Sequence, residues 1–190
     1  HDALPILMGT DTIAAWGICD KLDMLIWLLA DAMGPALTTY TAQNMGAGRW
    51  DRVCKGNRIG AAMSVAAVGT VSLGLYFLTA PLGDLFVPVQ DAAAVVPQAV
   101  VFMRRMAPFF LFYALAESFS GACCGTGDTV RPMILTLLSI CLLRVLGILL
   151  VLPRQHTMEC IIDIYISSWI AAGIGFLILW QWEKNRVPKT

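Results

Sequence analysis

From Ile59 to Ala80 the chain reads IGAAMSVAAVGTVSLGLYFLTA, a run without a single charge. At about 1.5 Å of rise per helical residue it reaches about 33 Å, which matches the ~30 Å hydrocarbon core of a bilayer. Its Gly, Ala and Ser content lets neighbouring helices approach closely in lipid. Four further stretches have comparable length. The first covers 11–43 and holds Asp20, Lys21, Asp23 and Asp31, with a Gly34-Pro35 step expected to kink it. The third covers 92–124, and its most apolar part, Met106 to Cys124, carries only Glu117. The fourth and fifth, 131–153 and 159–182, carry Arg144 and Asp163 respectively. The sequence therefore predicts spans at 11–43, 59–80, 92–124, 131–153 and 159–182.

Composition agrees. Hydrophobic residues make up 58% of the 190, charged ones 14%, against about 25% charged in a soluble domain. Thirteen basic residues balance thirteen acidic ones, so the excess of positive charge that a nucleic-acid binder needs is missing. Disorder is excluded by the same figures. The six cysteines form no CxxC pair, and His1 and His156 stand alone, so a disulfide framework, a zinc site or a Cys/His nucleophile pair is not expected. The run GACCGTGDT lacks the Lys of a phosphate loop. No cofactor, no metal, no catalytic residue and no nucleic-acid partner are expected. The chain opens on His1 without a basic and then apolar leader, and it is expected to be a fragment.

Gly46, Gly48, Pro81, Gly83, Pro88, Gly125 and Gly127 punctuate the spans, and Asp128 or Thr129 can cap the helix that follows. Short connections make neighbours antiparallel. With no repeat and no linker, residues 1–190 form one membrane domain: an all-α polytopic bundle of five transmembrane helices. Arg49, Arg52, Lys55, Arg58, Arg131, Lys184, Arg186 and Lys189 share one side, against Arg104, Arg105 and Arg154 on the other. By the positive-inside rule the richer side, with the C-terminus, is cytoplasmic and the N-terminus is outside.

Ionisable groups at membrane depth are costly, so each is a functional candidate. Glu117 lies about 16 Å into its span, near mid-membrane. A lone carboxylate there is suited to take up and release a proton or exchange it for Na⁺; the alternative is a protonated side chain hydrogen-bonded to a neighbouring helix. Asp31 is also near mid-depth, and Pro35 frees its carbonyl for a cation or water. Alternatively it faces water, since Asp20, Lys21 and Asp23 make the outer part of that helix look wet. Arg144 needs a carboxylate or water inside its span, and structural charge pairing is favoured over contact with an anionic ligand. Tyr113 and Trp169 either line an apolar drug pocket or pack the core. Gly121-x-x-x-Gly125 and Gly56-x-x-x-Gly60 have the spacing of closely packed membrane helices.

The connections carry a resemblance. TTYTAQNMGAGRWDRVCKGNRIG, Thr38 to Gly60, resembles the multidrug and toxic compound extrusion (MATE) family through Gln43, Asn44, Gly46, Ala47 and Arg52. FMRRMAPFFLFYALAESFSGACCGTGDTVRPMILTLLSICLLRV resembles the family's later pair of spans through Gly125, Gly127, Asp128, Thr129, Pro132 and Arg144, and GTDTIAAWGI fits near the start. The resemblance implies twelve spans in two six-helix lobes, of which this chain holds spans eight to twelve, one incomplete lobe. It also implies export of cationic or amphipathic compounds by H⁺ or Na⁺ antiport, with the lipid bilayer, a small-molecule substrate and the missing first lobe as partners. A plasma membrane location, the inner membrane in a bacterium, follows. Members with an acid in span ten often have it nearer Tyr113, and an Arg often stands where Cys124 is here, so a coupling role for Glu117 rests on its depth. The alternatives are a lipid-linked oligosaccharide flippase of the same superfamily, a non-transporting membrane scaffold or receptor, and an intramembrane enzyme; the last would need an adjacent nucleophile and base, which the sequence does not place together.

Overall fold

The computed structural model describes residues 9–153 and 157–186; His1, Arg154, His156 and Lys189 lie outside them. Within that range the chain is helical, with helix α1 over Thr10–Gly46, α2 over Trp50–Gly83 and α3 over Val89–Met106. A 3₁₀ turn, Ala107–Phe109, leads into α4 at Phe110–Gly125. Helix α5, Val130–Thr136, continues through a π-helical stretch, Leu137–Leu142, into α6 at Leu143–Leu150. Helix α7 covers Met158–Arg186. These elements give five long helical passages, and all-α bundle architecture is the fold. Four of them, Trp50–Gly83, Val89–Gly125, Val130–Leu150 and Met158–Arg186, are long and apolar enough to cross a membrane. The fifth, α1, has 37 residues and packs along the others, but its acids dilute its apolar character.

Helix α4 is the centre of the bundle, touching α1, α2 and α7. Its sequence, FLFYALAESFSGACCG, explains why: Ala, Ser and Gly leave room for three neighbours at once. The break before it follows from Pro108, which has no amide to give and whose ring crowds the preceding turn, so the helix tightens into a 3₁₀ turn. The Ser72 hydroxyl donates to the carbonyl of Ala107 at this break. Helices α5 and α6 lie at the periphery against α7, and Leu137, Leu138, Leu142, Leu146, Leu149 and Leu150 are exposed, as expected of a lipid-facing helix.

Pro35 sits inside α1 without ending it. Gly48 and Gly127 take positive φ, 68° and 96°, in the two turns at one end of the bundle, a conformation that costs Gly nothing. Asp128 supplies the cap: its Oδ1 accepts from the Arg131 amide at 3.3 Å, whereas Thr129 makes no side-chain cap. Cys19, Cys123 and Cys160 are buried in apolar surroundings, as small hydrophobes are.

Candidate functional site

The α1–α4 crossing brings the mid-span acids together. Gly34, Thr38 and Thr41 on α1 face Gly121 and Gly125 on α4, and each of these two glycines leaves no room for a side chain against the α1 backbone. The Thr38 hydroxyl lies 3.0 Å from both the Gly34 and Gly121 carbonyl oxygens, so its one proton is shared between an acceptor on its own helix and one across the crossing. The glycine pattern of the sequence is thus the seam of this contact, while Gly56 and Gly60 on α2 meet Tyr40 and Leu37 of α1.

One turn outward along both helices stand the candidates. Tyr113 donates its hydroxyl to Asp31 Oδ1 at 2.7 Å. Glu117 follows Tyr113 by one turn on the same face of α4, and a Cβ placed on Gly34 would be 3.5 Å from Glu117 Oε2. Asp31 is exposed on the open side of the bundle, Glu117 half-buried and Tyr113 buried. Two carboxylates and a phenol from two helices therefore share one site. Trp27 closes it from α1, its ring edge-on to Tyr113 at 4.3 Å, and Trp169 of α7 stands behind at 6.0 Å. Trp169 is 1% exposed and packs in the core, where its indole N–H has no partner. Among the described residues no three His, Cys, Asp or Glu side chains gather closely enough for a metal-ion site.

Arg144 departs from expectation. Among the described residues no carboxylate lies within ion-pair distance of it. Its Nε donates to Ser168 Oγ at 3.0 Å, and the guanidinium lies 4.0 Å from the centre of the Tyr165 ring. The acids of the first turns of α7, Glu159 and Asp163, are held instead by Arg105, with bonds of 2.8 and 2.7 Å to Asp163 and 3.3 Å to Glu159. A ring face and a hydroxyl replace the charge pair.

The wet outer half of α1 also needs correction. Asp20 and Lys21 are exposed, but Asp23 is 6% exposed and its Oδ1 has no partner. It shares the stripe of Cys19, Ile26 and Ala30 that packs inward. Nothing in its flanking charges signalled this; only the helical period from Cys19 could have.

The motif residues build connections. The Gln43 carbonyl accepts from the Ala47 amide at 3.2 Å and the Asn44 carbonyl from the Arg49 amide at 2.8 Å. Asn44 Nδ2 donates to the Tyr40 carbonyl, and Tyr40 donates its hydroxyl to the Arg52 carbonyl at 3.0 Å. Gly46 closes α1. Beneath this turn Thr41 and Asn57, both fully buried, form a reciprocal pair: Asn57 Nδ2 donates to Thr41 Oγ1 at 2.8 Å, and Thr41 donates to Asn57 Oδ1 at 3.1 Å. At the same end Arg131 bridges Asp128 at 2.6 Å and the buried Glu183 at 3.2 Å. A motif of this kind serves the inter-helix turns and leaves the acids at mid-bundle to differ.

The MatE family model matches residues 4–150. The chain belongs to the MatE family. Within the family, it is 24% identical over 189 residues to the probable multidrug resistance protein NorM of Thermotoga maritima, covering 96% of this chain and 39% of that protein. It is 19% identical over 186 residues to the probable multidrug resistance protein YoeA of Bacillus subtilis, covering 95% and 39%. The chain thus spans about two fifths of the length of these curated relatives. MatE membership and the apolar helices make it an integral membrane protein.

Proposed function

We infer that the chain is one part of a secondary active antiporter that exports cationic or amphipathic drugs or metabolites in exchange for H⁺ or Na⁺. The observation that carries this reading is the meeting of Asp31, Tyr113 and Glu117 at the α1–α4 crossing. Two carboxylates this close together, one of them half-buried, favour a bound cation, be it a proton, Na⁺ or the positive end of a substrate. Because the same acids serve each, loading one cation weakens the claim of another, and this exclusion is the coupling that antiport requires. Tyr113 holds Asp31 in place by donating to it when it is ionised. The exposed side of Asp31 is where the cavity shared with the other lobe lies in this reading, and alternating access comes from the lobes rocking against each other. A flippase for anionic lipid-linked sugars would want cations at this position, whereas the residues here are acids.

The turns at Gly46–Arg49 and Gly125–Thr129 and the C-terminal end of α7 lie on the cytoplasmic side of the plasma membrane in this proposal. The test uses the full-length protein in vesicles with an imposed ion gradient and a labelled cationic dye. Glu117→Gln is expected to abolish gradient-driven export while dye binding, with Asp31 still in place, is weakened and not lost; unchanged antiport would move coupling away from Glu117.

A further inference from the structure

We propose that the end of the bundle formed by the start of α2 and the end of α7 holds the phosphate of an anionic phospholipid. A cavity of about 700 Å³ opens there. Arg49 and Arg52, one turn apart at the start of α2, line it together with Lys184 from α7, which is distant in sequence and joined to them only by the fold. Among the described residues none of the three is in an ion pair. Asn185 adds a neutral amide, and Asp51 is the one acid in the lining. The first turn of α2 begins at Arg49 without a side-chain cap, so its free amides and the positive end of the helix dipole add to the same field.

Three uncompensated cations around a cavity call for an anion, and the position of the cavity selects its source. Trp50 forms one wall and lies 6.2 Å, ring to ring, from Trp180 of α7. Indole rings favour the headgroup level of a bilayer, where they meet both water and hydrocarbon. Basic pockets at the ends of membrane helices suit phosphate headgroups for this reason. Soluble phosphate compounds share the charge chemistry but gain nothing from the indole wall. This proposal rests on the chain spanning a membrane and is independent of the antiport reading.

The experiment is native mass spectrometry of the intact full-length protein, titrated in detergent with phosphatidylglycerol and, separately, with phosphatidylcholine. Phosphatidylglycerol is expected to be retained in preference. Arg49→Gln combined with Lys184→Gln should weaken its binding by about 25-fold, roughly fivefold per cation removed. Lys55→Gln combined with Arg58→Gln removes as much charge from exposed positions outside the cavity and should leave binding within about twofold. Asp51→Asn should tighten binding by about fivefold, a gain that misfolding cannot produce. Equal loss in both double variants, or no gain in Asp51→Asn, would overturn the site in favour of diffuse surface charge. Displacement of the lipid by millimolar inorganic phosphate would overturn the lipid assignment.

Discussion

Gly121 crosses Gly34 so closely that a Cβ built on Gly121 would stand 2.9 Å from the Gly34 Cα and overlap its carbonyl. No rotamer change relieves such a contact, because the obstacle is backbone. The crossing fixes the depth of α1 against α4, and with it the distance at which Tyr113 and Glu117 meet Asp31.

Gly121→Ala is therefore expected to destabilise the protein by about 1–3 kcal/mol, as overpacking of a closed contact does. Gly74, with nothing within 4 Å, is the control: Gly74→Ala should be neutral or slightly stabilising, since Ala is the better helix former. Thermal unfolding in detergent of the two variants of the full-length protein compares them directly. Equal midpoints would contradict the crossing.

Removing the phenol should act through Asp31. Tyr113→Phe and Asp31→Asn are each expected to slow gradient-driven export, and the double variant to be little worse than the more severe single one. A coupling of about 0.5–3 kcal/mol in the double-mutant cycle is the scale for groups in contact. Strict additivity would mean that the two side chains work apart.

Asp23 is a buried carboxylate with an unpartnered oxygen. Such a group costs free energy where it sits, so Asp23→Asn or Asp23→Leu should raise the thermal midpoint, by about 1–3 kcal/mol of stability. A lowered midpoint in both variants would show that the carboxylate is held by a partner of its own.

Thr41 and Asn57 satisfy each other in a site closed to solvent. Truncating one strands the other, and Asn57→Ala is expected to cost about 1–3 kcal/mol. Replacing both, Thr41→Val with Asn57→Leu, should recover part of that loss. A double variant as weak as the sum of the singles would refute the reciprocal pair.

Burial works to raise the Asp128 carboxyl, but the Arg131 amide and guanidinium outweigh it and hold the group below the usual carboxylate range. A depressed folded value gives stability that is present above the ordinary Asp pKa of about 3.9 and is lost as pH falls through the lower folded one. The midpoint gap between the unmodified protein and Asp128→Asn should accordingly be open near neutral pH and close below about pH 4. A gap that persists at lower pH would assign the effect to something other than the charge.

The uncharged run Ile59 to Ala80 and the spacing of Gly121 and Gly125 were enough to indicate membrane helices and a close helix contact, because length, hydropathy and side-chain size are local properties that solvent and neighbours read directly. The turn at Gly46–Gly48, the glycine at 127 and a cap at Asp128 or Thr129 were legible for the same reason, since turn and cap chemistry act within a few residues. Partnership was not. Arg144 met Ser168 and Tyr165 while Arg105 took Asp163, and Asp23 turned inward while Asp20 and Lys21 stayed wet; both outcomes depend on which face of a helix another helix occupies. The meeting of Asp31 with Tyr113 and Glu117, and the gathering of Arg49 and Arg52 with Lys184, join residues far apart in the chain. Only the close crossing of α1 on α4 and the docking of α7 bring them within reach.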